Sequence, residues 1–218
     1  MASVLGVTVE TDGITLPGDL IVPDEARGLV VFAHGSGSSR LSPRNQAVAN
    51  GLTGAGFGTL LFDLLTAGEE RIDARDASLR FDVASLARRL TGAIGWLDSQ
   101  TAHALGGRDL PLGLFGASTG AAAALATAAE LPSRVRAVVS RGGRPDLAGA
   151  ALPQVRAPVL LIVGGRDTRV LALNEAAKRD LPASCELAVV PGAGHLFEEP
   201  GALGQVTALA AEWFTRHV

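Results

Sequence analysis

The chain has 218 residues, 47% of them apolar, enough to bury one sizeable core, so a single domain over residues 1–218 is the default. Its 19 basic and 22 acidic residues leave a net charge of −3, with no basic surplus to neutralise a phosphate backbone, and nucleic acid is not an expected partner. Every basic residue except Lys178 is arginine, tyrosine is absent and Cys185 is the one cysteine, which leaves almost no place for phosphate-loop or Schiff-base lysine chemistry and excludes an internal disulfide or a CxxC zinc site.

The first eleven residues lack the basic and apolar blocks of a signal peptide, and a cytoplasmic location is expected. Residues 4–10 and 15–22 predict an antiparallel pair around Thr11-Asp12-Gly13, whose Asp-Gly supplies the positive φ of a tight hairpin. Residues 29–33 read as the first buried strand, 42–55 as a helix with Pro43 in its first turn, and 57–62 as the next strand. Glu69, Glu70, Arg71, Asp73, Arg75 and Asp76 form a charge run expected to be a solvated loop over the edge of the site. Residues 81–99 predict a helix with Val83, Leu86, Leu90, Ile94 and Leu97 on one stripe. A strand at 112–115 then runs into an alanine helix at 119–130, followed by strands at 135–140, 159–163 and 187–190 and helices at 171–180 and 202–217. Short β-branched or leucine-rich runs alternating with alanine-rich segments are the pattern of a mostly parallel sheet with crossover helices, and the class is α/β. Residues 110–129 carry no charge over 20 positions, yet Pro111, Gly113, Gly116, Ser118, Thr119 and Gly120 and an alanine-rich remainder argue against a membrane span, and no membrane partner is expected.

Four loops at or just beyond strand ends carry the chemistry: 34–39, 116–120, 164–168 and 192–197. Gly116-Ala117-Ser118-Thr119-Gly120 fits G-x-S-x-G between strand and helix, where a serine is held on a strained turn and flanking glycines avoid collisions that a Cβ would cause. A serine elbow needs a later carboxylate and a still later histidine. Asp167 comes 49 residues after Ser118, and His195 comes 28 after Asp167, each beyond a downstream strand. Ser118 is then the nucleophile, His195 the base that takes its proton, and Asp167 the group that holds the imidazole tautomer. Asp146 is the alternative acid. The oxyanion donors are the backbone N–H of Thr119 at a helix start and that of Ser36, with Gly37 in reserve. His34 is expected to brace its loop by hydrogen bonds and Asp63 to brace another. His103 and His217 are expected at the surface, Cys185 as a small strand residue, and no metal or cofactor is called for.

The runs Phe32-Ala33-His34-Gly35-Ser36-Gly37, Phe115-Gly116-Ala117-Ser118-Thr119-Gly120, Gly164-Gly165-Arg166-Asp167 and Pro191-Gly192-Ala193-Gly194-His195 resemble the successive landmarks of the α/β-hydrolase family, most similar to its small dienelactone-hydrolase-like members. The resemblance implies a mostly parallel central sheet with helices on both faces, and it implies the triad Ser118, Asp167 and His195. It departs at the elbow, where dienelactone hydrolases carry cysteine, so dienelactone itself is not the expected substrate. Residues 141–157, which separate two core strands, are too few for a cap domain.

These residues point to a cofactor-independent hydrolase of small-molecule carboxylic esters, with thioesters and lactones open to the same machinery. A non-catalytic ligand-binding module, a small peptidase and an acyltransferase are the alternatives. Arg141 and Arg144 stand at the carboxyl edge of the sheet, where they either pair with local carboxylates such as Asp146 or bind a carboxylate of the substrate.

Overall fold

The computed structural model describes residues 3–100, 105, 107–182 and 184–218; His103 lies outside them. Strands β1 (Leu5–Thr11) and β2 (Ile14–Ile21) form the expected hairpin. Its two turn residues, Asp12 at φ 51° and Gly13 at φ 73°, are both left-handed, the backbone that matches the twist of the flanking strands. β3 (Leu29–Ala33), α1 (Pro43–Gly54) and β4 (Gly58–Phe62) follow, with Ser42 capping α1 through its hydroxyl and Pro43 at the first helical position.

The charge run is not a solvated loop. It forms helix α2 (Ala67–Asp76), started by a reciprocal capping box in which Thr66 Oγ1 accepts the Glu69 N–H at 3.3 Å and Glu69 accepts the Thr66 N–H at 2.8 Å. Two of its six charges turn inward, while Glu70, Arg71, Arg75 and Asp76 stay exposed: Glu69 pairs with Arg89, and buried Asp73 accepts from Leu79 N, Arg80 N and Arg80 Nε. Helix α3 (Val83–Ser99) buries Leu86, Leu90, Ile94 and Leu97, while Val83 is half-buried.

β5 (Leu112–Ala117), α4 (Thr119–Glu130), β6 (Val135–Arg141), a kinked 3-10 stretch (Pro145–Gln154), β7 (Val159–Gly164), α5 (Thr168–Ala177), β8 (Cys185–Val190) and α6 (Ala202–His217) complete the order. One eight-stranded sheet runs β1-β2-β4-β3-β5-β6-β7-β8; β1 and β2 are antiparallel, and β3 to β8 are parallel. Helices cover both faces. Val30, Phe32, Phe115, Val139 and Ile162 pack with α1 and α6, whereas Val31, Leu114, Val138 and Leu161 pack with α3, α4 and the 3-10 stretch, because successive strand residues point to opposite faces. Between β6 and β7 the described chain has only the 3-10 stretch, and no cap domain is present there. Residues 110–129 fold as β5, the elbow and most of α4, and no helix among the described residues is long and apolar enough to cross a membrane.

Candidate active site

Parallel strands deliver their loops to one edge of the sheet, and the elbow sits at its middle, between β5 and α4. Ser118 has φ 51° and ψ −119°, a conformation costly for a residue with a Cβ, and three backbone bonds hold it there. Its N–H donates to Arg141 O at 3.1 Å, and its carbonyl accepts from Ala121 N and Arg144 N, each at 3.1 Å. The flanking glycines are there for space: a Cβ at Gly116 would lie 2.4 Å from Ala121 Cα, and one at Gly120 would lie 2.2 Å from the Ala33 carbonyl oxygen. Gly35 brings the 34–37 loop close as well, since a Cβ there would sit 3.0 Å from Ser118 Cβ.

Asp167 ends the loop after β7 and caps α5, its Oδ1 accepting the Val170 N–H at 3.4 Å. Its other oxygen lies 2.6 Å from His195 Nδ1. The loops that carry the two residues are joined by a 2.9 Å bond from Arg166 N to Ala193 O and pack so closely that a Cβ on Gly164 would fall 2.4 Å from that same oxygen. His195 is otherwise half open to solvent, and Gly142 lies against its ring, an approach that nothing in the spacing of the sequence signals. Asp146, the alternative acid, is committed elsewhere: it holds Arg144 in a bidentate pair at 2.8 and 2.7 Å, which keeps the Arg144 proton bound more firmly than usual.

On the other side of Ser118, His34 Nε2 accepts the Leu64 N–H at 2.9 Å and Nδ1 donates to Gly35 O at 3.0 Å. Burial lowers its pKa, which the Gly35 bond opposes, so the ring is a neutral brace. Asp63 braces the neighbouring loop by accepting from Arg40 N at 2.7 Å and Arg40 Nη1 at 2.6 Å. The two expected oxyanion donors meet an unforeseen neighbour. Thr119, as the first residue of α4, has no helical carbonyl for its N–H, but the Ser36 N–H already donates to Thr119 Oγ1 at 2.9 Å. Beside them opens a cavity of about 300 Å³ walled by Ser36, Gly37 and Thr119, by Leu64, Leu65 and Leu86, and by Asp73, Ala74 and Arg80. Helix α2 supplies part of this wall; Thr66-Ala67-Gly68-Glu69 is the sequence signal that reveals it.

Arg141 differs from Arg144. It is 8% exposed, its Nη1 is buried with no hydrogen-bond partner among the described residues, and burial, then the nearby charge of Arg44, brings its pKa down to about 10. Ala137 and Val139 pack on the face covered by α1 and α6, and alternation puts Arg141 on that face too, with Arg44 of α1. Cys185 is buried at the start of β8 with its thiol pushed up to about 11 and is no nucleophile. His217 is half-buried rather than fully exposed, with its ring 4.4 Å from that of Trp213, one turn earlier on the same face of α6. Among the described residues no cluster of His, Cys, Asp and Glu could hold a metal ion.

Residues 26–213 match the alpha/beta hydrolase domain family, and the chain belongs to it. A solved structure from Anabaena variabilis ATCC 29413, named a dienelactone hydrolase, is 54% identical, covers 100% of this chain and 99% of its own, and superposes with a TM-score of 0.94. Est1E from Butyrivibrio proteoclasticus shares the fold at 16% identity, with a TM-score of 0.77 over 97% of this chain and 98% of its own. Relatives from two strains of Mycobacterium tuberculosis, named phosphoribosyl transferases, are 58% identical over 212 residues. Those residues are 97% of this chain and 46% of theirs, so the chain spans about half the length of the curated relatives it matches.

Proposed function

We propose that this hydrolase, as one domain over residues 1–218, cleaves carboxylic esters, and related thioesters or lactones, through an acyl-enzyme on Ser118. The observation that supports the reading is the 2.6 Å contact of Asp167 with His195 Nδ1, at the same edge of the sheet as a serine on a strained strand-to-helix turn. Asp167 fixes the proton on Nδ1 and leaves Nε2 as the base. Ser118 Oγ attacks the acyl carbon as its proton passes to His195; the tetrahedral oxyanion then collapses, and the departing alkoxide takes that proton as the C–O bond breaks. Water repeats the cycle, giving its proton to His195 and its oxygen to the acid product, and Ser118 is restored.

The Anabaena relative's name adds lactones to the substrates worth testing, and Arg141 adds a preference for a substrate that carries its own carboxylate. The test is labelling by a fluorophosphonate together with hydrolysis of a panel of esters, thioesters and lactones of graded acyl length. Wild type is expected to label and turn over, and Ser118→Ala to do neither. Labelling that survives Ser118→Ala removes the nucleophile. A wild type that neither labels nor hydrolyses leaves a ligand-binding module on a hydrolase fold.

A further inference from the structure

We infer that the side-chain hydroxyl of Thr119 is itself an oxyanion donor, so that one residue supplies two arms of the hole and the Ser36 N–H stands behind it. The inference rests on the Ser118 acyl-enzyme reading and gives that site a catalytic residue more. Its starting point is a conflict: the Ser36 N–H, which the spacing of the loops aims at the oxyanion, is taken by Thr119 Oγ1 at 2.9 Å.

A hydroxyl has one proton to donate and two lone pairs to accept with. Accepting from Ser36 uses a lone pair and leaves the proton free. Thr119 is only 2% exposed, and buried donors are as a rule satisfied, yet no group among the described residues accepts this one. The common outlet for a helical threonine is the carbonyl four residues earlier, as Thr207 shows by donating to Leu203 O at 2.9 Å. Thr119 has no such outlet, because four residues earlier the chain is strand β5.

Thr119 directly follows Ser118 in the chain, and it lines the 300 Å³ cavity together with Gly35, Ser36 and Gly37, beside the elbow although Ser118 itself is not one of the cavity's walls. Its N–H and its Oγ1 are separated only by Cα and Cβ, so both can converge on a single oxygen, at the positive end of α4. The Ser36 N–H polarises the hydroxyl from behind and makes it a stronger donor. The tetrahedral oxyanion is the acceptor that this buried proton lacks in the free protein. No atom other than this hydrogen-bonded proton is shared, and the electron pairs move as in the acyl transfer above.

The test compares Thr119→Val, which keeps the shape and removes the hydroxyl, with Thr119→Ser, which keeps the hydroxyl, on p-nitrophenyl butyrate and in the rate of fluorophosphonate labelling. Ser118→Ala runs in the same assay, and thermal unfolding reports folding. Thr119→Val is expected to lose about 10²- to 10³-fold in kcat, the range for one oxyanion donor, with KM within about threefold, and Thr119→Ser to stay within about fivefold of wild type. Should the valine variant fold poorly, the crystal structure of the wild-type phosphonate adduct replaces it, with Thr119 Oγ1 expected within hydrogen-bond distance of the phosphoryl oxygen. An unchanged or faster Thr119→Val overturns the inference, since it means that the hydroxyl merely plugged the Ser36 N–H. Equal losses in the valine and serine variants, or an adduct oxygen bonded to Ser36 N with Thr119 Oγ1 turned away, overturn it too. An active Ser118→Ala, or a wild type inert to both probes, strikes the acyl-enzyme reading instead.

Discussion

Asp167 and His195 are bound to each other at 2.6 Å while the second oxygen of the same carboxylate caps α5 through Val170 N. Helix cap and histidine partner are often rival explanations of an aspartate after a strand, and here one side chain makes both contacts. The cap fixes the carboxylate before any substrate arrives, so the imidazole is oriented by a group that is itself held by the fold. Asp167→Asn is expected to cost about 10³- to 10⁴-fold in kcat by permitting the wrong tautomer. Asp146→Asn, which only loosens the partly exposed pair with Arg144, is expected to cost less than tenfold. Steady-state kinetics of the two variants on one ester check the ranking, and its reversal moves the acid to Asp146.

The elbow gives a stability prediction that separates steric glycines from permissive ones. Gly120→Ala puts a Cβ 2.2 Å from the Ala33 carbonyl oxygen, backbone that cannot yield without shifting β3, and is expected to cost about 3 kcal/mol or more. Gly95→Ala, in the interior of α3 with open space around its Cβ, is expected to stabilise by about 0.5–1 kcal/mol through helix propensity and a less flexible unfolded chain. Denaturant midpoints of the two variants are the measurement. A tolerant Gly120 means that the strand-to-helix turn is looser than its contacts indicate.

Much of this site was legible because its constraints are local. The elbow glycines, the strand-to-helix turn and the order Ser118, Asp167, His195 are all written along the chain. What stayed illegible depends on partners distant in sequence. The charges at 69–76 look like a solvated run until Arg89 and Arg80 are seen to neutralise Glu69 and Asp73 from the next helix and loop. Only the capping box at Thr66 marked the helix locally. Likewise, that the Thr119 hydroxyl receives the Ser36 N–H, 83 residues earlier, is a property of β3 lying beside β5, and no periodicity carries it.

His34 gives a pH prediction whose sign follows from its environment. Burial lowers its folded pKa below the ordinary histidine value of about 6.5, the Gly35 bond opposing, so the unfolded chain takes up the proton first as the pH falls. Stability from the neutral ring is therefore fully present above about pH 6.5 and is lost as the pH falls from there through the folded pKa. Thermal unfolding between pH 7 and 5 is expected to show a decline that is shallower in His34→Gln. His217 is shifted the same way, by burial and then by Arg216, so His217→Gln serves as the comparison. An unchanged slope in His34→Gln assigns the acid sensitivity to other groups.

Arg141 carries the most specific prediction, because its burial lacks a compensating contact. Arg141 is 8% exposed, its Nη1 has no hydrogen-bond partner among the described residues and the charge of Arg44 lies nearby, so the fold holds a cation in a place that disfavours one. Arg144 has no such deficit, since Asp146 occupies its fork. Two consequences separate a loop fastener from a substrate reader. Replacing a fastener weakens the fold, whereas Arg141→Met removes an unpaired buried charge and is expected to leave stability unchanged or raised. Replacing a reader changes specificity: for two esters that differ only in a terminal carboxylate against its methyl ester, Arg141→Met is expected to lose at least about tenfold in kcat/KM on the anionic ester alone. That ratio is about 1.4 kcal/mol of differential binding, within reach of a charge-assisted bidentate bond. Arg144→Ala is expected to affect both esters alike. Equal losses on both esters in Arg141→Met, together with a lower unfolding midpoint, would mean that Arg141 holds the loop after β6 and that the anion it lacks is not the substrate.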